Sequence, residues 1–368
     1  MWFCRAVRFD ASLLVSNGKL NLFYCRCRTE RTMDFSLIVP SYNEEGNLKR
    51  FLSEVTSCFR DADITYEVIF VDDGSSDSTL EVLKGLVRDT RAADETHPSD
   101  TEPLSTSSRQ TVSVVSFSRN FGKEAALLAG LKQATGDYVG FIDADLQQDP
   151  AISLSMLQLL RENPAYDCVA AVQRERKDSV PLKFFKKAFY RLFNAMGEGI
   201  EITANASDFR VFKKVVAQAL IDMPEYYRFS KGLFSWVGFN THIITYEPKE
   251  RFSGSSQWSF RKLFSYAIGG IASFSTLPLK ITLYLGLITS LAAVVYLIFV
   301  LGEALFAGIS VPGYPTLVCL ILLFNGILML VLGVFGEYLG RIYMEGKHRP
   351  LYITRETFST QMGDEKKE

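Results

Sequence analysis

Several things are scarce or missing in this 368-residue chain, and each absence narrows what it can be. There are three histidines, His97, His242 and His348, too scattered for metal-ligand spacing. Six cysteines include no C-x-x-C pair, and Cys25-x-Cys27 has no second Cys or His pair to complete a metal site, so they read as reduced, unpaired thiols. No G-x-G-x-x-G follows a strand pattern and no G-x-x-x-x-G-K-[ST] occurs, which disfavours Rossmann dehydrogenases and P-loop NTPases. The net charge is −1, without the basic excess of a nucleic-acid binder, so no nucleic-acid partner is expected. The first 32 residues hold no apolar run long enough for a secretory signal and carry six basic residues, so they are expected to be a disordered extension.

The most telling scarcity is local. Between Leu263 and Gly336 only Lys280 and Glu303 are charged, whereas the other 294 residues carry 79 charges. A charged body is therefore joined to an apolar module, and the chain is neither purely soluble nor mostly intramembrane. Ile281–Leu301 and Thr316–Phe335 are uncharged runs of 21 and 20 residues, each enough for a helix to cross a hydrocarbon core of ~30 Å. Gly308, Pro312, Gly313 and Pro315 mark a turn between them. Arg261, Lys262 and Lys280 precede the pair, and Arg341, Lys347 and Arg349 follow it, while the turn has no Lys or Arg. The positive-inside rule then puts both flanks, the body and both termini in the cytoplasm of a multi-pass protein of the cell membrane. Residues 251–280, with Trp258, Phe260, Phe264 and Tyr266, read as an interfacial segment and 337–368 as a tail. Gly326, Gly333 and Gly336 would let spans approach closely, within one hairpin or between copies of the chain.

The body, residues 33–250, alternates strand and helix. Apolar runs at Phe35–Pro40, Tyr66–Val71, Thr111–Phe117, Tyr138–Ile142 and Tyr166–Val172 read as strands; Glu44–Phe59, Thr79–Val87, Lys123–Gln133 and Ala151–Arg161 read as helices. Such alternation predicts an α/β fold with a mainly parallel sheet covered on both faces, its ligands beyond the carboxyl ends of the strands. Residues 88–110, rich in Thr, Ser, Asp and Glu, read as a flexible surface loop. The acidic clusters fall at strand ends. Asp143-Ala144-Asp145 follows one strand, and carboxylates so spaced suit a hard divalent cation. Asp72-Asp73-Gly74 follows another, where at least one carboxylate should reach a ligand, and Asp77 is placed to cap the next helix. Residues 174–191 form a basic amphipathic pattern suited to an anionic membrane surface or, alternatively, to a solvated basic face over the core.

Taken in order, Val39-Pro-Ser-Tyr-Asn-Glu-Glu, Val71-Asp-Asp-Gly-Ser-Ser-Asp, Arg119-Asn-Phe-Gly-Lys and Asp143-Ala-Asp-Leu-Gln resemble the motifs of family-2 glycosyltransferases with the GT-A fold. With Ser207-Asp-Phe-Arg, Glu250-Arg251 before Gly254-Ser-Ser, and Gly336-Glu-Tyr-Leu-Gly-Arg-Ile-Tyr, the chain looks most like the polyprenyl-phosphate branch, of the bactoprenol glucosyltransferase and dolichol-phosphate mannose synthase kind. Gln257 stands where that pattern has Lys. The resemblance implies inverting transfer from a nucleotide sugar, UDP-glucose by default, to a membrane polyprenyl phosphate, giving a polyprenyl-monophosphate sugar for glycan or envelope assembly. It implies that Pro40, Tyr42, Glu44, Asp72, Asp73, Lys123, Asp143 and Ala144 bind the donor. Asp143, Asp145 and Gln147 would hold Mg2+ or Mn2+. Asp145, Asp208 and Arg210 would be catalytic, and Arg174, Arg191 and Arg251 would take the acceptor phosphate. Two alternatives stand beside it: a processive polysaccharide synthase, which would carry Q-x-x-R-W where this chain has Gln257-Trp258, and a non-enzymatic membrane partner with an inactive transferase fold.

Overall fold

The computed structural model describes residues 33–95, 110–174, 206–223, 225–247, 277–306 and 313–360. The extension 1–32, the loop 96–109, most of the basic stretch 174–191 and of the interfacial segment 251–280, and with them Arg191 and Arg251, lie outside the described residues.

Four parallel strands form the centre. They are β1 (Phe35–Ser41), β2 (Tyr66–Asp72), β3 (Gln110–Phe117) and β4 (Tyr138–Phe141). Their sequences are apolar almost throughout because both faces are covered, as in parallel sheets generally; β2 is buried along its whole length. Helices α1 (Leu48–Phe59), α2 (Thr79–Glu95) and α4 (Pro150–Glu162) cover one face. Leu48, Phe51, Leu52, Val55 and Phe59 of α1 recur at helical spacing, and all are buried. Helices α3 (Lys123–Gln133), α5 (Lys214–Ile221) and α6 (Ser230–Trp236) cover the other. Strands β5 (Cys168–Gln173), β6 (Ala206–Lys213), β7 (Thr241–Tyr246) and β8 (Thr354–Ser359) complete a mixed sheet of order β7-β5-β6-β4-β1-β2-β3-β8. β6 runs antiparallel to β4 and β5, and β8 antiparallel to β3. The α/β class with a mainly parallel sheet is as the sequence predicted.

Strand order reverses between β1, which leads to β2 and β3 on one side, and β4 on the other. Loops leaving the two strands diverge there and open a crevice beyond their carboxyl ends. Because β6 is antiparallel to β4, its beginning reaches the same edge.

Three expectations are corrected. Residues 88–95 continue α2 instead of opening a loop: the helix outruns the core, so its polar end shows no apolar period. Residues 337–346 extend the second apolar helix, and 354–359 form β8 on the sheet edge, so what reads as a polar tail is partly structural. The apolar module comprises α7 (Leu277–Phe306) and α8 (Tyr314–Gly346), longer at both ends than the uncharged runs. Leu277–Tyr296 and Leu323–Gly346 are long and apolar enough to cross a bilayer, and almost none of either is buried. A side chain at Gly326, Gly333 or Gly336 would meet no atom within 4 Å among the described residues.

Candidate active site

The crevice is built from four loops. Beyond β1, Asn43 adopts φ 55° and its side-chain oxygen accepts the Ser76 backbone N–H at 2.9 Å. The Asn43 N–H donates to Ser75 Oγ (3.0 Å) and the Glu44 N–H to Thr79 Oγ1 (2.8 Å). These bonds tie the β1–α1 loop to the β2–α2 loop, leaving Tyr42 39% exposed at the rim. Pro40 sits in register with Val71, and the Glu44 carboxylate accepts from Asn47 Nδ2.

Asp72 ends β2 and Asp73 follows it, yet neither has a carboxylate oxygen left without a protein donor. Asp72 Oδ1 accepts from the Ser75 N–H (3.0 Å) and Oδ2 from Ser116 Oγ (2.8 Å). Asp73 Oδ1 and Oδ2 accept from the backbone N–H groups of Phe121 (2.6 Å) and Gly122 (2.9 Å). Burial pushes the Asp73 pKa up, although both backbone bonds act against it. Both residues are nearly fully buried, so in this structure they shape the loops that meet at Gly74 and Arg119 instead of lining the cleft. Gly74 has φ +64°, and a Cβ there would lie 2.3 Å from the Arg119 carbonyl carbon, so only glycine fits.

Beyond β4 the residues alternate. Asp143, Asp145 and Gln147 are partly exposed, while Ala144, Leu146 and Gln148 are buried. Leu146 takes φ 60°, a left-handed conformation that costs a branched side chain free energy and is held by its surroundings. Gln148 grips Asp143 twice: its Oε1 accepts the Asp143 N–H (3.0 Å) and its Nε2 donates to Asp143 Oδ2 (3.2 Å). The Gln147 N–H donates to Asp145 Oδ1 (3.1 Å).

The other wall brings the charges together. Lys123 opens α3, and its ammonium lies 2.6 Å from Asp143 Oδ1 and 3.1 Å from Asp208 Oδ2, joining β4 to β6. Burial disfavours that ammonium, but the two carboxylates outweigh it and its pKa is raised. Burial likewise opposes the Asp208 charge, yet Lys123, Lys231 and Arg210 bring its pKa down to about 2. Asp208 Oδ1 is buried without a hydrogen-bond partner among the described residues. Beside it, Glu124 accepts from the Ser230 backbone N–H (3.0 Å) and from Ser230 Oγ (2.5 Å). Its pKa is raised by burial and by the Asp208 charge. Burial lowers the pKa of Lys231, which follows Ser230 and feels Asp208, Lys123, Arg210 and Glu124. Arg228 donates to the carbonyl oxygens of Met223 (2.6 Å) and Leu220 (3.1 Å), closing the end of α5.

Lys123, Asp143 and Asp208 therefore meet, with Asp145 and Gln147 on the same loop. Arg210 does not open onto the cleft: it is 4% exposed, its guanidinium 3.9 Å from the Phe234 ring centroid, and it supports the Asp208 charge from behind. Arg174 lies at the same sheet edge but just after β5, a strand two spacings (about 10 Å) from β4. It is already engaged by Glu247 at 2.9 Å. Glu124, Gln148, Ser230 and Lys231 were not picked out from the sequence. An acidic residue in a helix's first turn passes for a dipole partner, and a lysine on a short amphipathic helix for a solvated one.

Among the described residues no three His, Cys, Asp or Glu side chains cluster as a complete metal cage. Asp143 and Asp145 nonetheless offer hard oxygen donors on one loop. Two carboxylates fit an ion that takes its remaining ligands from a bound diphosphate and water, the usual arrangement for Mg2+ with nucleotides.

The profile of glycosyl transferase family 2 matches residues 36–221, from β1 to the end of α5. An uncharacterized glycosyltransferase of Synechocystis sp. is 39% identical over 331 residues, covering 90% of this chain and 97% of its own. A prophage bactoprenol glucosyl transferase homolog of Escherichia coli is 37% identical over 88% of this chain and 99% of its own, and the bactoprenol glucosyl transferase of Shigella phage SfV is 36% identical over 88% and 98%. The solved structure of glucosyl-3-phosphoglycerate synthase from Mycobacterium tuberculosis aligns with 65% of this chain and 78% of its own at 18% identity and a TM-score of 0.40. Family profile and full-length relatives coincide, and the chain belongs to glycosyl transferase family 2 as a glycosyltransferase.

Proposed function

We propose that this glycosyltransferase moves a sugar from a nucleotide-sugar donor, UDP-glucose by default, to the phosphate of a polyprenyl phosphate held in the membrane, inverting the anomeric centre. The observation that carries the reading is the Lys123 clasp: one ammonium joins the β4 acid loop to Asp208 on the edge where the crevice opens. Two apolar helices in the same chain, and relatives named for bactoprenol as acceptor over nearly their whole length, support the lipid substrate.

Asp143 and Asp145, with Gln147 beside them, would hold Mg2+ or Mn2+. When bound, the ion supplies Lewis-acid neutralisation of the charge growing on the leaving nucleoside diphosphate. Gln148 keeps Asp143 in one rotamer and Lys123 links Asp208 to it. The nucleophile is an acceptor phosphate oxygen. It forms a bond to the anomeric carbon as the bond from that carbon to the diphosphate oxygen breaks, and the electron pair leaves with the diphosphate. That oxygen is already anionic at neutral pH, so no strong base is required. Asp208, ionised at neutral pH, orients the acceptor or the sugar through its free oxygen. Lys123 and Lys231 offset the negative charge that both phosphate groups bring. Tyr42 and Glu44 face the nucleoside side. The body works at the cytoplasmic leaflet with the 302–315 turn outside.

The assay is purified protein with a polyprenyl phosphate and a panel of nucleotide sugars, with and without Mg2+. Transfer of label to the lipid with one donor is expected, and no transfer with any donor refutes the reading. Asp145→Ala should abolish metal-dependent transfer. A cysteine placed at Pro312 should react with an impermeant thiol reagent from outside the cell only, and labelling from the cytoplasm reverses the orientation.

A further inference from the structure

The end of α8 and the charged cluster are joined by one short stretch of chain. In the last turn of α8 both carboxylate oxygens of Glu345 accept the Tyr226 backbone N–H, at 3.1 and 2.9 Å. One turn earlier the Arg341 guanidinium lies 4.7 Å from the Tyr227 ring centroid, and the Tyr226 and Tyr227 rings meet edge to face at 5.2 Å. The next residues are already in the site. Arg228 secures the end of α5, Ser230 binds Glu124, and Lys231 sits in the field of Asp208. Tyr226 to Lys231 is six residues, at most about 20 Å even if fully extended.

A second attachment holds the opposite wall. Tyr352 stacks on Phe117 with centroids 4.8 Å apart, the Ser118 N–H donates to the Ile353 carbonyl at 3.0 Å, and β8 pairs with β3. Phe117 in turn meets Phe121, whose N–H binds Asp73. The chain leaving the apolar module thus grips both sides of the crevice.

A phosphate tethered to a chain dissolved in the bilayer has limited reach, so the height of the site governs how readily the two meet. α8 is a continuous helix, so Glu345 stands about 15 Å along its axis from Phe335, the last residue of the uncharged run. We propose that Arg341 and Glu345 are positioning residues that set the height of the transfer site above the bilayer, through their grip on the Tyr226–Lys231 loop. The proposal rests on the lipid-phosphate reading above. It concerns placement and not chemistry, so it separates membrane-held from soluble acceptors.

The test uses the full-length protein in phosphatidylcholine–phosphatidylglycerol vesicles. Transfer is measured to an eleven-isoprene phosphate in the bilayer and, in parallel, to a two-isoprene phosphate dissolved in the buffer. The quantity read is the ratio of kcat/KM on the two acceptors, which does not depend on how much protein is folded. Glu345→Ala and Arg341→Ala should each lower that ratio about tenfold or more, since misplacement by about 1 Å can cost up to a hundredfold. Arg341→Lys, which keeps a cation over the Tyr227 ring, should restore most of it. An unchanged ratio overturns the proposal, and so does an equal loss on both acceptors, because the contacts would then only hold the fold. A wild-type protein inactive on both acceptors refutes the lipid-phosphate reading itself and this proposal with it, whereas an active wild type with unaltered variants refutes this proposal alone.

Discussion

Replacing Lys123 with methionine keeps most of the side-chain volume and removes the charge that holds Asp143 and Asp208 together. Both carboxylate oxygens lie within 3.1 Å of one nitrogen, hence no more than about 6 Å from each other. Two bare negative charges at that distance repel by about 3 kcal/mol at an effective dielectric constant of ~20. Asp143 is about one third exposed, so solvent screens part of this and about 1–2 kcal/mol should remain. The Asp208 pKa sets a similar scale: its depression from 3.8 to about 2 corresponds to roughly 2 kcal/mol of stability. Because the folded value lies below the ordinary one, this stabilisation is complete well above pH 4 and is lost as the pH falls through about 2. About half remains at pH 3. Thermal unfolding of wild type and Lys123→Met in detergent, from pH 7 to pH 3, reads it directly. The variant should be less stable by about 1–2 kcal/mol at pH 7, with the gap narrowing by about half at pH 3. A gap that stays constant across that range, or no gap at pH 7, refutes the electrostatic account of the clasp. Transfer activity should fall in parallel, since repulsion would drive Asp208 away from the Asp143 loop to which Lys123 joins it.

Other expectations follow from single contacts. Glu124 has a raised pKa, so the folded state binds its proton more tightly than the unfolded chain and the carboxylate costs stability as pH rises above 4.5. Glu124→Gln keeps an acceptor for Ser230 and should flatten that dependence, whereas Glu124→Ala should lose about 1–3 kcal/mol by orphaning the Ser230 donors; unfolding curves in which the Gln variant is the weaker one would contradict this. Gly74→Ala should cost about 2–4 kcal/mol in thermal unfolding, from its φ of +64° and the 2.3 Å approach to Arg119, and a wild-type melting temperature would show that the loop can give way. Tyr352→Ala should cost about 1.5–3 kcal/mol by removing the Phe117 stack, and denaturant unfolding with an unchanged midpoint would mean that β8 holds without it.

Strand and helix were legible wherever one physical demand acted alone. β1 and β2 are apolar because both faces are covered, and α1 shows its period because one face is. β6 was not read as a strand because it answers two demands: Phe209 and Val211 join the core on one face, while Asp208 and Arg210 meet the charged cluster on the other. A central strand with two charges does not look like one. β8 was missed for a different reason, since only Phe358 anchors it and its other side chains are polar. At the site, Asp143 and Asp145 stood out through their spacing and position after a strand. Gln148 and Glu124 act through rotamers and depth, which no local pattern encodes. Asp72 and Asp73 looked equally chemical in sequence and differ only in where their hydrogen bonds go.

The pairing of β3 with β8 also bears on how the protein is made. The backbone of Val112 meets Thr360 Oγ1 across 248 positions of sequence, and α7 and α8 lie between them. During synthesis β3 emerges long before its neighbour exists, and both apolar helices must be delivered first. Until then β3 is an open edge, free to template pairing with another chain. Closure of the sheet therefore reports that both helices have been produced, and a nascent chain that stops before β8 keeps an open-edged, unfinished catalytic domain.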